Sequence, residues 1–327
     1  MDLLNVSDIS KEQDGVFILK GISFVLQPFQ KIALAGETGS GKSTLLKIIA
    51  GLAQATDGHV LFEGKRVPGS DEKLISGHPG IGYVSQHFEL RNNYYVAEEL
   101  AYTNQLTDKA AAKIYEICQI THLLKRRTHQ LSGGERQRIV TARVLISSPK
   151  LLLLDEPFSN LDLAHTNTMK TVINDIGKQL KITCMLVSHD PLDTLSWADK
   201  IIVIKDGQLI QEGEPQQIYQ QPATEYAAAL FGKYNLIKAT DKKIIEQIPG
   251  IERNKKNMLI RPEHFELVSK EKGMKAIVNK VIFFGSYYDA EVLISGKLVT
   301  IKTGKADLKK GDTIYITVRP ENGCWLD

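Results

Sequence analysis

The 327-residue sequence predicts two domains of different class: an α/β domain with a buried parallel sheet over residues 1–231, then a small all-β domain over residues 232–327. Three observations lead there. The stretch GETGSGKST, residues 36–44, lies between a strand-like apolar run, KIALA, and a helix-like one, LLKIIAGL. Three short apolar runs follow, KLLLLDEP, ITCMLVSHD and KIIVIKDG, with the length and content of strands covered on both faces. After PATEYAAALFG the pattern changes to alternating segments broken by Gly and Asp, such as MKAIVNKVIFFGSYYDAEVLISGKLVTIKTG, which predicts one small barrel-like unit.

Taken in order, LLNVSDI and VFILKGISFVL read as short strands, with a turn at Gln27-Pro28 before the strand that leads into residue 36. GHVLFEGKRV reads as a further strand and turn. From about residue 88 the spacing becomes helical: VAEELAYTNQL and KAAAKIYEICQITHLL repeat apolar residues at three and four. The three apolar strands follow, with helical segments between the first two, before the all-β tail.

Composition narrows the class. With 43% hydrophobic and 24% charged residues the chain reads as an ordinary globular protein. No apolar run approaches the ~18 residues of a membrane helix. MDLLNVSDIS has neither the basic nor the apolar region of a secretory signal, so none is expected. Cys118, Cys184 and Cys324 are dispersed and odd in number, which predicts reduced thiols in a cytoplasmic protein. The net charge of +3 divides into −3 before residue 233 and +6 after it. The basic tail reads either as a solvated lysine-rich surface or as a face for an anionic partner.

GETGSGKST has the chemistry of an anion site. Gly36, Gly39 and Gly41 let the backbone close around a ligand, and Glu37, Thr38, Ser40 and Thr44 complete a loop at a helix N-terminus, where N–H groups are unpaired. Gly36-x-x-x-x-Gly41-Lys42-Ser43 has phosphate-loop spacing: Lys42 would reach the β- and γ-phosphates and the Ser43 hydroxyl would ligate Mg²⁺. In LSGGERQR, residues 131–138, Ser132-x-x-Glu135 is a capping box, and Gly133 and Gly134 behind the cap expose more N–H groups, a second candidate phosphate site.

Together, GETGSGKST, LSGGERQR and LLLLDEP resemble the ATP-binding-cassette (ABC) ATPases over residues 1–231. The resemblance implies a phosphate-loop NTPase with a RecA-like core, an antiparallel β subdomain and a helical subdomain at about 88–145, binding ATP and Mg²⁺. Asp155 would hold Mg²⁺, directly or through water, and Glu156 would polarise the attacking water. Gln86, in GYVSQHF, would contact Mg²⁺ and that water, in a loop sensing the membrane partner; His189, in LVSHD, would contact the γ-phosphate. Ser132, Gly133, Gly134 and Glu135 would face ATP held by a partner chain, with Asp162, in SNLD, near the dimer seam. One position departs from the pattern. The adenine-stacking aromatic aligns with Gln13, in KEQDGVF; either Phe17 replaces it or stacking is weak, since strand alternation equally turns Phe17 into the core.

LIRPEHFELV and the strands after it resemble the OB-like (TOBE) domain carried by ATPases that import sugars, polyamines, sulfate, molybdate or ferric iron. This implies an ATP-hydrolysing importer subunit, paired as a homodimer or with a similar cassette, on the cytoplasmic face of the membrane. It would work with two transmembrane permease subunits and, through them, a substrate-binding protein. The alternative is a soluble ABC ATPase whose tail binds nucleic acid or a regulator. The tail shows no basic–aromatic stripe for nucleic acid, and adjacent Tyr287 and Tyr288 are expected on opposite sheet faces.

Overall fold

A computed structural model describes residues 2–159, 161–188, 190–248, 251 and 255–326. The chain divides into two compact units, Met1–Pro215 and Gln216–Asp327.

The first unit opens with the antiparallel strands β1 (Leu4–Gln13) and β2 (Val16–Leu26). Then come β3 (Lys31–Ala35) and helix α1 (Lys42–Ile49). Strands β4 (Asp57–Phe62) and β5 (Lys65–Arg66) form a hairpin. Its two-residue turn puts Glu63 at φ 51° and Gly64 at φ 76°, the left-handed pair that matches strand twist. Strands β2-β1-β4-β5 make one sheet.

Next are β6 (Ile81–Val84), the helices α2 (Val96–Ala101), α3 (Asp108–Ile117) and α4 (Gly133–Leu145), and β7 (Leu151–Asp155). The unit closes with α5 (Leu163–Leu180), β8 (Thr183–Val187), α6 (Pro191–Leu195), β9 (Lys200–Lys205) and β10 (Gln208–Gly213). These strands form a six-stranded sheet, β10-β9-β3-β8-β7-β6, parallel except at the β10 edge.

The apolar runs are buried on both faces, and strand periodicity divides them. Leu151, Leu153, Met185 and Val187 pack with α1 and the antiparallel sheet. Leu152, Leu154, Cys184 and Leu186 pack with residues of α2 to α5. Each strand thereby joins two cores, which fixes its C-terminal end firmly. Cys118 and Cys184 are buried free thiols, and burial pushes both up to about 12, so neither is a nucleophile at neutral pH.

The second unit begins at Gln216, within α7 (Pro215–Gln220), and includes α8 (Glu225–Leu230), whereas the sequence predicts the boundary near Gly232. The strands β11 (Asn235–Ile237), β12 (Asn257–Ile260) and β18 (Gly323–Leu326) form a three-stranded sheet, β11-β12-β18, with the short helix α9 (Lys242–Ile245) after β11. Strands β13 (Phe265–Leu267), β14 (Met274–Phe283), β15 (Tyr288–Ile294), β16 (Lys297–Thr303) and β17 (Thr313–Val318) form a five-stranded sheet in the order β13-β17-β14-β15-β16.

Arg261 accounts for the earlier start. Only 1% exposed, its guanidinium donates to the carbonyls of Ala228 (3.0 Å), Gly232 and Lys233 (both 3.1 Å) and Tyr219 (3.2 Å). It also lies 4.2 Å from the centre of the Tyr219 ring. A buried cation must be fully hydrogen-bonded, so α7, α8 and the segment after them are held by β12's following residue.

The tail holds a local cluster rather than a stripe. Phe284 and Tyr287 stack at 5.3 Å and 12°, with the Lys233 amine 4.7 Å from the first ring centre and the Lys302 amine 4.0 Å from the second. A basic–aromatic cluster therefore exists, assembled from positions far apart in sequence. Tyr288 pairs instead with Phe283. Asp289 accepts from Lys233 at 2.6 Å, which offsets part of the cluster's charge.

Candidate functional site

The loop between β3 and α1 is shaped by close approach. A Cβ on Gly36 would lie 2.3 Å from the Ile204 carbonyl oxygen. Gly41, at φ 97°, would place one 2.9 Å from the Ile18 oxygen and 2.7 Å from Leu19 Cδ2. Glycine is required at both, and the loop is thereby wedged between β2 and the end of β9. Lys42 is 5% exposed and its Nζ donates to the carbonyls of Gly36 (2.8 Å) and Glu37 (2.7 Å) and to Ser40 Oγ (3.2 Å). Burial pulls the Lys42 pKa below its ordinary value, although the carboxylates of Glu156 and Asp155 oppose this.

Asp155 ends β7 and is 4% exposed. Its two oxygens are each met by a hydroxyl: Ser43 Oγ donates to Oδ1 at 2.9 Å and Tyr83 Oη to Oδ2 at 2.8 Å. Tyr83 reaches it because β6 runs parallel beside β7, with Tyr83 opposite Leu153. Burial, then the Asp155 charge, raises the Tyr83 pKa, so the phenol stays protonated and donating. Glu156 follows at φ 51°, its backbone N–H donating to the Val187 carbonyl at 3.1 Å, and its Oε2 accepts from Gln86 Nε2 at 3.2 Å. The loop lysine, a hydroxyl, two carboxylates and an amide thus converge where the parallel strands end, the place at which α/β sheets bind ligands. Tyr83 is the member that sequence reading missed.

At the start of α4, Ser132 Oγ accepts from the Glu135 N–H at 3.3 Å and Glu135 Oε2 accepts from the Ser132 N–H at 2.8 Å. Arg126 holds Glu135 at 3.0 Å. A Cβ on Gly133 would meet open space, while one on Gly134 would lie 2.4 Å from the His165 ring. Gln137, fully buried in α4, donates to the Pro157 carbonyl, tying this helix to the segment after Glu156. Asp162 caps α5, accepting from the His165 N–H at 2.8 Å. His189 lies outside the described residues.

Gln13 and Phe17 sit near the tip of the β1–β2 hairpin. Both are exposed, Phe17 by 48%, so its ring is not in the core as alternation allowed; register shifts beside Lys11 and Glu12 break that alternation. On the helical side, buried Glu99 accepts from Arg91 (2.8 Å) and Arg143 (2.6 Å). Burial pushes Glu99 up, but the two arginines outweigh it and hold the carboxyl below its ordinary value. Arg91 in turn lies against the rings of Tyr94 and Tyr102, and Arg127 against Tyr95, giving an exposed aromatic surface.

Comparison with known proteins agrees with this geometry. A model of the ABC transporter family matches residues 19–159 and one of the TOBE domain matches residues 258–326. The chain is 33% identical to the spermidine/putrescine import ATP-binding protein PotA of Clostridioides difficile, over 98% of this chain and 96% of that one. It is 32% identical to the sulfate/thiosulfate import ATP-binding protein CysA of Mesostigma viride, over 97% and 94%. Among solved structures, cbiO1 of Clostridium perfringens, described as part of an ABC transporter complex, superposes with a TM-score of 0.60 at 29% identity, covering 66% of this chain and 90% of that one. The chain belongs to the family of ABC transporter ATP-binding proteins. It is the ATPase subunit of an ABC importer and carries a C-terminal TOBE domain. No helix among the described residues is long and apolar enough to cross a membrane.

Proposed function

We propose that two copies pair around two ATP molecules and, from the cytoplasmic face of the membrane, drive solute uptake through separate transmembrane subunits. The convergence of Ser43 and Tyr83 on Asp155, beside Glu156 and Gln86, carries this reading. A hydroxyl and a carboxylate side by side are the hard oxygen donors that suit Mg²⁺. When bound, Mg²⁺ would neutralise charge on the β- and γ-phosphates. Lys42 holds the phosphates, Glu156 takes the proton of the attacking water, and Gln86 orients that water. Ser132, Gly133 and Gly134 present the start of α4 to nucleotide on the other copy.

Cargo chemistry lies outside this chain. Relatives named for a polyamine and for sulfate, a cation and an anion, resemble it equally at 33% and 32% identity. The surface formed by Tyr94, Tyr95 and Tyr102, which follows the Gln86 loop in the chain, is our candidate for the membrane subunits. Affinity capture of the tagged chain from detergent-solubilised membranes is expected to recover two membrane-spanning polypeptides. Recovery of the chain alone, with its ATPase intact, would reject the partner assignment.

Two site predictions follow from the geometry. Phe17→Ala is expected to weaken ATP by about tenfold, since base stacking contributes ~1–3 kcal/mol, while Gln13→Ala changes little. Equal affinities for both variants in nucleotide titration would remove Phe17 as the adenine platform. Tyr83→Phe leaves a buried Asp155 oxygen without its donor, a loss of ~1–3 kcal/mol. ATP affinity in Mg²⁺ should fall about tenfold, and affinity in EDTA should not change. A decrease of the same size in EDTA would make Tyr83 a packing residue only.

A further inference from the structure

We propose that the first unit holds a second binding site, for a free medium-chain alkanoate, at the opposite end of its parallel sheet from the nucleotide loop. A cavity of about 710 Å³ opens there, a volume suited to a small ligand. Its walls are aliphatic: Leu106, Ala110 and Ile114 on the α3 side, Leu145 at the end of α4, and Leu180 and Ile182 where α5 turns into β8. Phe29 forms the lip, 65% exposed and on a left-handed backbone at φ 68°. That conformation is costly for a bulky residue, and here a hydrogen bond from its N–H to Thr183 Oγ1, 2.7 Å, fixes it.

The polar groups around the cavity define the ligand. Lys113, Lys150 and Lys181 stand on the rim with a single carboxylate, Glu63. Lys150 and Glu63 neutralise each other at 2.6 Å. Lys113 and Lys181 have no ion-pair partner among the described residues, so the rim keeps a net positive charge. None of the buried side-chain atoms that lack a hydrogen-bond partner lines the cavity, and the Thr183 hydroxyl is already engaged. The lining offers one further hydroxyl, on the exposed Ser148, so a sugar, nucleotide or amino acid would still leave most of its polar groups against aliphatic walls. An apolar chain with one negative end leaves nothing unpaired.

The site is separate from ATP. Lys150 and Thr183 sit at the start of β7 and β8, whereas Asp155 closes β7 five residues on, about 17 Å at the usual strand rise. Isothermal titration of the full chain with octanoate, decanoate, dodecanoate and dodecan-1-ol, below micelle-forming concentrations, tests the proposal. One alkanoate per chain should bind whether or not ATP is saturating, and affinity should rise up to about fourfold per added methylene. Dodecanol should bind at least about tenfold more weakly than dodecanoate, and the double variant Lys113→Glu/Lys181→Glu should lose a similar factor for dodecanoate only. Ala110→Trp should fill the cavity and abolish both, with ATP binding as the check on folding; if that variant does not fold, the charge variant decides. Absence of saturable dodecanoate binding, equal binding of the alcohol, or indifference to charge reversal would each overturn the site.

Discussion

Glu156→Gln is expected to bind ATP normally and to turn it over ~10²–10⁴-fold more slowly, the usual size of a general-base effect. The substitution is close to isosteric. The left-handed backbone at φ 51° and its bond to Val187 are properties of the main chain and of the strand end, so an amide inherits the same position. What it loses is the capacity to take a proton from water. ATP should then accumulate unhydrolysed, and the paired state should persist: size-exclusion chromatography with ATP is expected to show a dimer for the variant and a monomer-rich profile for the parent. Wild-type turnover in Glu156→Gln would remove Glu156 as the base. Slow turnover without a dimer would retain the base and reject pairing of the isolated chain.

Lys42→Ala should abolish measurable ATP binding. The ammonium is buried, and it donates to two carbonyls and a hydroxyl that have no comparable cation in its place. With ATP bound, these donors would turn toward phosphate oxygens. Hydrogen bonds to charged groups contribute ~1.5–3 kcal/mol each, so losing two lowers affinity by ~10²–10⁴-fold. Burial already holds the Lys42 pKa below its ordinary value, so at high pH the parent should lose affinity before an exposed lysine would titrate, and Lys42→Arg should resist that loss. Isothermal titration at neutral and alkaline pH, with circular dichroism as the folding control, checks both. Retained affinity in Lys42→Ala would reject the phosphate-loop assignment.

The loop, the parallel strands and the helical segment were legible because each is written locally. Gly spacing, a continuous apolar run and a three-four repeat need only neighbouring residues. What was not legible is assembled across the sheet. Tyr83 reads as one more apolar strand residue until the register of β6 on β7 sets it against Asp155, 72 positions away. Glu99 looks like a solvated helix carboxylate, but it is buried between arginines on either side of it in sequence. Arg261 stood out only within LIRPEHFELV; its role depends on carbonyls that a side-chain pattern does not display. Alternation leaves Phe17 open between the surface and the core, and the register shifts in the hairpin, which alternation does not display, leave it exposed. Ser132 and Asp162 are helix caps in the structure, and that local duty does not decide what else they touch.

The Gln137 tether has a mechanical corollary. α4 is fastened through that amide to the carbonyl of Pro157, one residue past Glu156, and Gly134 is pressed against the His165 ring. The portion of the chain that would be lent to a neighbour's nucleotide and the portion that would cleave its own would therefore move as a single lever rather than as two independent parts. In a two-fold pair, each nucleotide would rest on one end of each lever. Loss of a phosphate at one would shift the fulcrum of the other, so the two turnovers would be timed together by the arms of the assembly, with no messenger passing between them.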